Sequence, residues 1–263
     1  MLPKKTKVGH TGTLDPLASG LLVLLLGRST RLSRYVTDLE KSYAATARLG
    51  AVSDTLDAEG EVTRLDTPLP SENALRTVLP AFTGDIHQTP PMVSALKREG
   101  KRLYDLHRQG ITVEREPRPV TVHRFVLTTF DPDEMTATFE ITCSSGTYVR
   151  TLIADLAKGA GSGAYLTALR RTTVGHFTLQ EAQATEDLTP ESLHNHIIQP
   201  AEVVGHLPGM SVSADDRDVV CHGGRLEGHG VEGSYRVMWG DELLAVYRDE
   251  GNEARAEVVL CAG

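Results

Sequence analysis

The stretch Gly9-His-Thr-Gly-Thr-Leu-Asp-Pro-Leu-Ala-Ser-Gly-Leu-Leu22 constrains this chain most. Glycines, a proline and an aspartate stand immediately ahead of the apolar run Leu21 to Leu26. Such a composition describes a tight, backbone-constrained loop that feeds a buried strand. Pro16 biases Asp15 towards an extended conformation. Asp15 is then either a turn residue that accepts a backbone N–H or a carboxylate held in a fixed place for chemistry.

Composition narrows the class. At 263 residues the chain can bury at least one sizeable core, and one large plus one small domain is expected. Apolar residues make up 40% and charged residues 24%, as in ordinary globular proteins. No apolar run approaches the roughly 18 residues of a membrane span, so no membrane partner is expected. The three cysteines, Cys143, Cys221 and Cys261, are far apart in sequence and form no metal-ligand pair. This predicts a reducing, cytoplasmic setting without a disulfide framework.

The net charge of −8 by itself argues against nucleic acid as a partner. Its distribution points the other way. Residues 1–48 hold eight Lys/Arg against three Asp/Glu, and residues 96–124 hold eight against four. Two basic islands on an acidic body are either a solvated face or, if folding joins them, a phosphate-binding surface.

Strands are expected at 20–26, 43–50, 119–130, 135–143 and 235–247, which are rich in Val, Thr, Leu and aromatic residues. Helical spacing is clearest at 72–79, at 103–109 ending on Gly110, and at 148–157, with Ser71 as N-cap of the first. Helices interspersed with antiparallel-looking strand pairs predict an α+β fold with a mixed, mostly antiparallel sheet flanked by helices. A boundary is expected near 200–210, which divides the chain into 1–205 and a small β-rich appendage at 206–263. Residues 87–119 mix prolines, basic residues and one short helix. They form either a surface hairpin or an arm that closes over a polyanion.

The run around Asp15 resembles the catalytic loop of the TruB family of pseudouridine synthases. Further motifs extend the resemblance from Val8 to about Glu181. They are Lys41-Ser-Tyr43 with Ala47-Arg-Leu-Gly50, Asp54-Thr-Leu-Asp57-Ala-Glu-Gly60, Pro90-Pro-Met-Val-Ser-Ala-Leu-Lys97, Cys143-Ser-Ser-Gly-Thr-Tyr148-Val-Arg150 and Ala164-Tyr-Leu-Thr-Ala-Leu169-Arg-Arg171. The last 54 residues resemble a PUA domain more distantly.

This resemblance implies the pseudouridine synthase fold with a PUA-like C-terminal domain. It also implies a monomer that converts a uridine in the T-arm loop of tRNA, position 55, to pseudouridine. The reaction breaks the C1′–N1 bond, turns the base and joins C1′ to C5. No redox change occurs, so no cofactor or metal is required. A carboxylate beside C1′ is required, and the family assigns that place to Asp15.

The other site residues follow from the same motifs. Arg150 is the expected counter-ion of Asp15, because an arginine stays charged and presents a planar fork. Tyr43 is expected to stack on the flipped uracil, with Tyr148 packing beside it and Leu169 closing the pocket. Without the family, the tyrosines would be read as half-buried core residues and Leu169 as core. His10 is expected at the nucleotide near the flipped base. Arg31 and Asp57 occupy positions of RNA contact or site support, and each could equally be a surface charge. Lys97, Arg98, Lys101, Arg102 and Arg108 are expected to reach phosphates.

Two features depart from the family pattern. The C-terminal 209–263 segment is acidic, with five Lys/Arg against eleven Asp/Glu. The family's usual Lys-Pro-containing strand ahead of the catalytic loop is missing here, which predicts a truncated or late-starting chain with an uncovered sheet edge. Three rival readings stand beside the leading one. They are a guide-dependent synthase working in a ribonucleoprotein, a tRNA-binding or folding factor without catalysis, and an unrelated hydrolase using Asp15.

Overall fold

The computed structural model describes residues 5–94, 96–98 and 100–261. The side chains of Lys97, Arg98, Lys101, Arg102 and Arg108 lie outside the described part, so the expected phosphate contacts of this arm do too.

In chain order the elements begin with β1 (Val8–His10), β2 (Ala18–Gly20), β3 (Leu24–Leu26) and a short helix α1 (Ser33–Thr37). The long strand β4 (Lys41–Leu49) and the ribbon β5 (Ala51–Ser53) and β6 (Val62–Arg64) follow. Helix α2 (Glu72–Val78) leads to β7 (Gly84–Gln88), the short strands β8 (Lys97–Arg98) and β9 (Lys101–Arg102), and α3 (Leu103–Arg108). Next come β10 (Arg118–Asp131), β11 (Thr136–Cys143), α4 (Val149–Gly159), β12 (Ala164–Val174) and β13 (Phe177–Thr178). The remainder holds α5 (Pro200–Val203), β14 (Gly209–Ser211), α6 (Ala214–Cys221), β15 (Leu226–Glu227), β16 (Ser234–Trp239), β17 (Glu242–Glu250) and β18 (Glu253–Val259).

Contacts gather the chain into two compact units. One consists of Leu14–Leu21 and Asp38–Ala182, the other of Met1–Thr13, Leu22–Thr37 and Gln183–Gly263. The expected division at 205/206 thus differs from the observed grouping, in which the C-terminal part starts at Gln183 and takes in two N-terminal segments.

The larger unit is built on a sheet in the order β13-β12-β4-β11-β10-β7. All these pairs are antiparallel, and β2 adds to β12 in parallel. The α+β expectation with a mostly antiparallel sheet therefore holds. Strand alternation explains the layer beneath it. Ala137, Phe139, Ile141 and Cys143 on β11 are buried together, as are Ala45, Ala47 and Leu49 on β4. Helix α4 meets this face with Val149, Leu152, Ile153, Leu156 and Ala157, the spacing of one apolar stripe on a helix. Leu75 of α2 joins the same core, and the Ser71 hydroxyl accepts the Ala74 N–H as the expected N-cap.

In the smaller unit a five-stranded sheet runs β14-β16-β17-β18-β15 around buried Tyr235, Val237, Leu244 and Tyr247. The single strand expected at 235–247 is a hairpin instead. Gly240 turns at φ 58°, and Trp239 pairs with Glu242 across a two-residue loop. The run Leu21–Leu26 also needs correction. Leu22 and Leu24 are exposed, only Leu24–Leu26 of this run is a strand, and it pairs with β1 as a two-stranded ribbon with Leu25 buried. The cysteines overturn a further expectation. Cys221, ending α6, and Cys261, just past β18, form a disulfide with Cα atoms 5.5 Å apart. Folding removes a separation of 40 residues that the sequence shows as distance. The reducing-compartment argument from scattered cysteines loses its basis, although Cys143 is free and buried. No helix among the described residues is long and apolar enough to cross a membrane.

Candidate active site

Asp15 is positioned by a loop whose exit is fastened to the sheet. The Ala18 N–H donates to the Asp15 carbonyl at 2.8 Å, which closes a tight turn through Pro16 and Leu17. Ala18, Ser19 and Gly20 then pair with Leu169, Arg170 and Arg171 of β12. Gly20 sits at φ 99°, and a Cβ there would lie 2.3 Å from the Arg171 carbonyl oxygen. Only glycine permits this approach.

Arg150 comes from the first turn of α4 and is almost fully buried. Its Nε donates to Asp15 Oδ2 at 2.8 Å and its Nη2 to Asp15 Oδ1 at 3.1 Å, a bidentate fork. Nη2 also donates to the Val93 carbonyl at 2.8 Å and Nη1 to the Thr55 carbonyl at 2.7 Å. Nη1 lies 3.3 Å from Asp57 Oδ2. Four hydrogen bonds and the ion pair with Asp57 thus surround the guanidinium, which offsets the cost of burying the cation. The Arg150 side chain is 3% exposed and Asp57 4%, whereas Asp15 keeps 34%. The accessible carboxylate of the three-residue network is Asp15.

Asp57 is itself held in place. Its Oδ1 accepts the Thr55 hydroxyl at 2.6 Å and the Glu59 N–H at 3.0 Å. Leu56 between them adopts φ 65°, an uncommon conformation for a branched residue. That turn aims both the Thr55 carbonyl and the Asp57 carboxylate at Arg150. Asp57 is thus buried against Arg150 and is not a surface charge.

The start of α4 has no side-chain cap of its own. Gln88, at the end of β7, holds it from outside. Its Oε1 accepts the Tyr148 N–H at 2.7 Å, and its Nε2 donates to the Tyr148 carbonyl at 3.0 Å. Tyr148 is half-buried. Burial raises its pKa, neighbouring Ser94 opposes the rise, and Asp15 and Arg150 are close enough to act on it.

Tyr43 continues the row of Ala45 and Ala47 along the core face of β4. Burial pushes its hydroxyl up to about 12, neighbouring Cys143 and Asp15 add to this, and Arg171 opposes it. Leu169 and Arg171 reach the same face because β12 is irregular between Leu166 and Ala168. Burial falls on 164 and 166 before that point and on 169 and 171 after it.

The structure brings Asp15, Arg150 and Asp57 into direct contact and sets Tyr43 and Tyr148 within electrostatic reach of Asp15. His10 and Arg31 belong to the other unit. There His10 is exposed on β1, and Arg31 Nη1 donates to the Val259 carbonyl at 2.8 Å. Sequence reasoning assigned no role to Gln88, Thr55, Val93 or Arg171. Arg171, Thr55 and Val93 lay inside recognised motifs, but Thr55 and Val93 act through backbone carbonyls and Gln88 through a clamp that no residue type announces.

A buried arginine thus forks onto a half-open aspartate beside a mixed sheet. A solved Cbf5-Nop10-Gar1 complex contains a chain with a TM-score of 0.73 and 25% identity, covering 96% of this chain and 76% of that one. Residues 1–149 match the TruB family pseudouridylate synthase N-terminal domain. The tRNA pseudouridine synthase B of Aromatoleum aromaticum is 42% identical over 250 residues, 94% of this chain and 80% of that protein. Its namesake from Pseudomonas fluorescens is 48% identical over 188 residues, 72% of this chain and 60% of that protein. The chain belongs to the TruB family.

Proposed function

We propose that this protein isomerises a uridine in the T-arm loop of tRNA, position 55, to pseudouridine, with Asp15 as the catalytic group. The observation that carries this reading is the fork from buried Arg150 onto an Asp15 that still reaches solvent. The names of the TruB relatives support tRNA as the substrate.

A carboxylate covered by a stacked base would be driven towards its neutral form by desolvation, and the paired guanidinium counters that. Asp15 then acts at the ribose while the C1′–N1 bond breaks. The freed uracil turns within the pocket, C1′ joins C5, the C5 proton leaves, and N1, which has lost its bond to C1′, gains a proton. Tyr43 stacks on the flipped base from one side and Leu169 closes the other, with Tyr148 packed beside them. Base stacking on an aromatic contributes about 1–3 kcal/mol, comparable with the cost of flipping a nucleotide. The chemistry needs no electron acceptor and no metal. Lys97, Arg98, Lys101 and Arg102 hold phosphates from the arm, and His10 and Arg31 contact RNA. The enzyme acts as a monomer in the cytoplasm, where tRNA is found.

Tritium release from C5 of a uridine-labelled tRNA transcript tests the reading. Wild-type protein should release tritium, and Asp15→Asn should reduce release to background. A wild type that releases none rejects the activity. An active Asp15→Asn variant rejects the assignment of Asp15.

A further inference from the structure

Arg171 is a second buried arginine beside the site, 2% exposed, and the reaction outlined above does not use it. A cation in that position is costly unless its hydrogen bonds are well made, so its partners are informative. Its Nε donates to the Leu21 carbonyl at 2.7 Å, and its own carbonyl accepts the Leu21 N–H at 2.9 Å. Both polar groups of the residue at the exit of the Asp15 loop are therefore fastened to one amino acid. Arg171 lies opposite Gly20 on one side and opposite Tyr43 of β4 on the other. Arg171 and Tyr43 therefore stand side by side on the core face, and the guanidinium opposes the rise that burial causes in the Tyr43 pKa. The irregularity in β12 puts Arg171 on the core face, where an unbroken alternation would have turned it away.

We propose that Arg171 is a positioning residue that couples the Asp15 loop to the Tyr43 hydroxyl. One guanidinium sets the spacing between the carboxylate that works at C1′ and the phenol that lies over the base. A planar fork with several donors can serve a backbone carbonyl and a phenol oxygen together, which a lysine ammonium on a flexible stem does less well. A fastener for the loop alone would not need the phenol. The inference rests on the proposed reaction for its consequence, but the coupling itself is a property of the RNA-free protein.

The test compares wild type, Arg171→Met, Arg171→Lys, Tyr43→Phe and the Arg171→Met/Tyr43→Phe double variant. Without RNA, Arg171→Met should speed amide exchange at Leu21 by about tenfold or more, since the native bonds hold that amide closed. The same variant should shift the 13Cζ resonance of Tyr43, assigned by its loss in Tyr43→Phe, and leave those of Tyr235 and Tyr247 in place. An unmoved Tyr43 resonance or an unaltered Leu21 amide overturns the coupling. If Arg171→Met does not fold, Arg171→Lys carries the same two readouts. At least one of them should change, and wild-type behaviour in both overturns the proposal.

With labelled tRNA, Arg171→Met should lower kcat by about tenfold or more with KM within about threefold, and the double variant should be no slower than the slower single variant. A loss confined to KM, or losses that multiply, overturns the coupling. A wild type that releases no tritium rejects the reaction instead, and the RNA-free measurements still decide the coupling.

Discussion

Arg150 is held inside the protein by four hydrogen bonds and the ion pair with Asp57, and that decides how Asp15 is placed. The carboxylate is fixed by two parallel bonds on one side and open on the other, so its geometry does not depend on the substrate arriving. Arg150→Ala is expected to depress turnover more than tRNA affinity, because the proposed phosphate contacts belong to the arm and not to this arginine. Single-turnover tritium release beside filter binding checks it, and equal losses in both would reject the division of labour. Stability should fall too, by about 3–5 kcal/mol, because Asp57 would be left as a buried charge without its partner. At this scale the residue types were legible and their partners were not. Asp15 and Arg150 stood out through their motifs, but Asp57 read equally well as a surface charge until its burial against Arg150 was seen.

Among elements, the sheet was the easiest part to anticipate. β4 and β11 alternate over eight residues or more, and the core face of each follows from that period, whereas β10 changes phase between Val122 and Phe125. Helix α4 was equally plain from its apolar stripe. The three-residue strand β2 was not, because three residues carry no period and its pairing with β12 is set by Gly20 meeting Arg171. The irregularity in β12 was hidden for a similar reason, since it shows only as a change in which residues face inward. The link between β7 and α4 rests on Gln88. Gln88→Leu removes two hydrogen bonds to the Tyr148 backbone and should cost about 2 kcal/mol in a denaturant melt. It should also slow catalysis, since Arg150 stands two residues beyond the clamp. Unchanged stability would show that water replaces both bonds.

At the level of the whole molecule, each unit has its own core and its own polar fastenings. In the smaller unit Glu257 collects the Ser234 hydroxyl at 2.6 Å, the Tyr35 hydroxyl at 2.8 Å and Arg248 at 3.1 Å, with Arg34 alongside. Burial alone would raise its pKa, but these partners outweigh it and hold the carboxyl at about 2, against an ordinary value of 4.5. A depressed carboxyl contributes stability above pH 4.5 and loses it as the pH falls towards 2. Glu257→Gln should therefore weaken the protein at neutral pH and flatten the loss of stability across that acid window. Denaturant midpoints measured from pH 7 to pH 2 check this, and curves of equal slope for both proteins would reject it. Sequence by itself determined the class of fold, the helices with clear stripes, and the identity of the loop that carries Asp15, because those depend on short-range pattern and on a long uninterrupted motif. Tertiary structure alone decided the Cys221–Cys261 bond, the grouping of N-terminal segments with the C-terminal part, and the five contacts that surround Arg150. Each of these joins residues far apart in the chain, and no local preference encodes a distance that only folding closes.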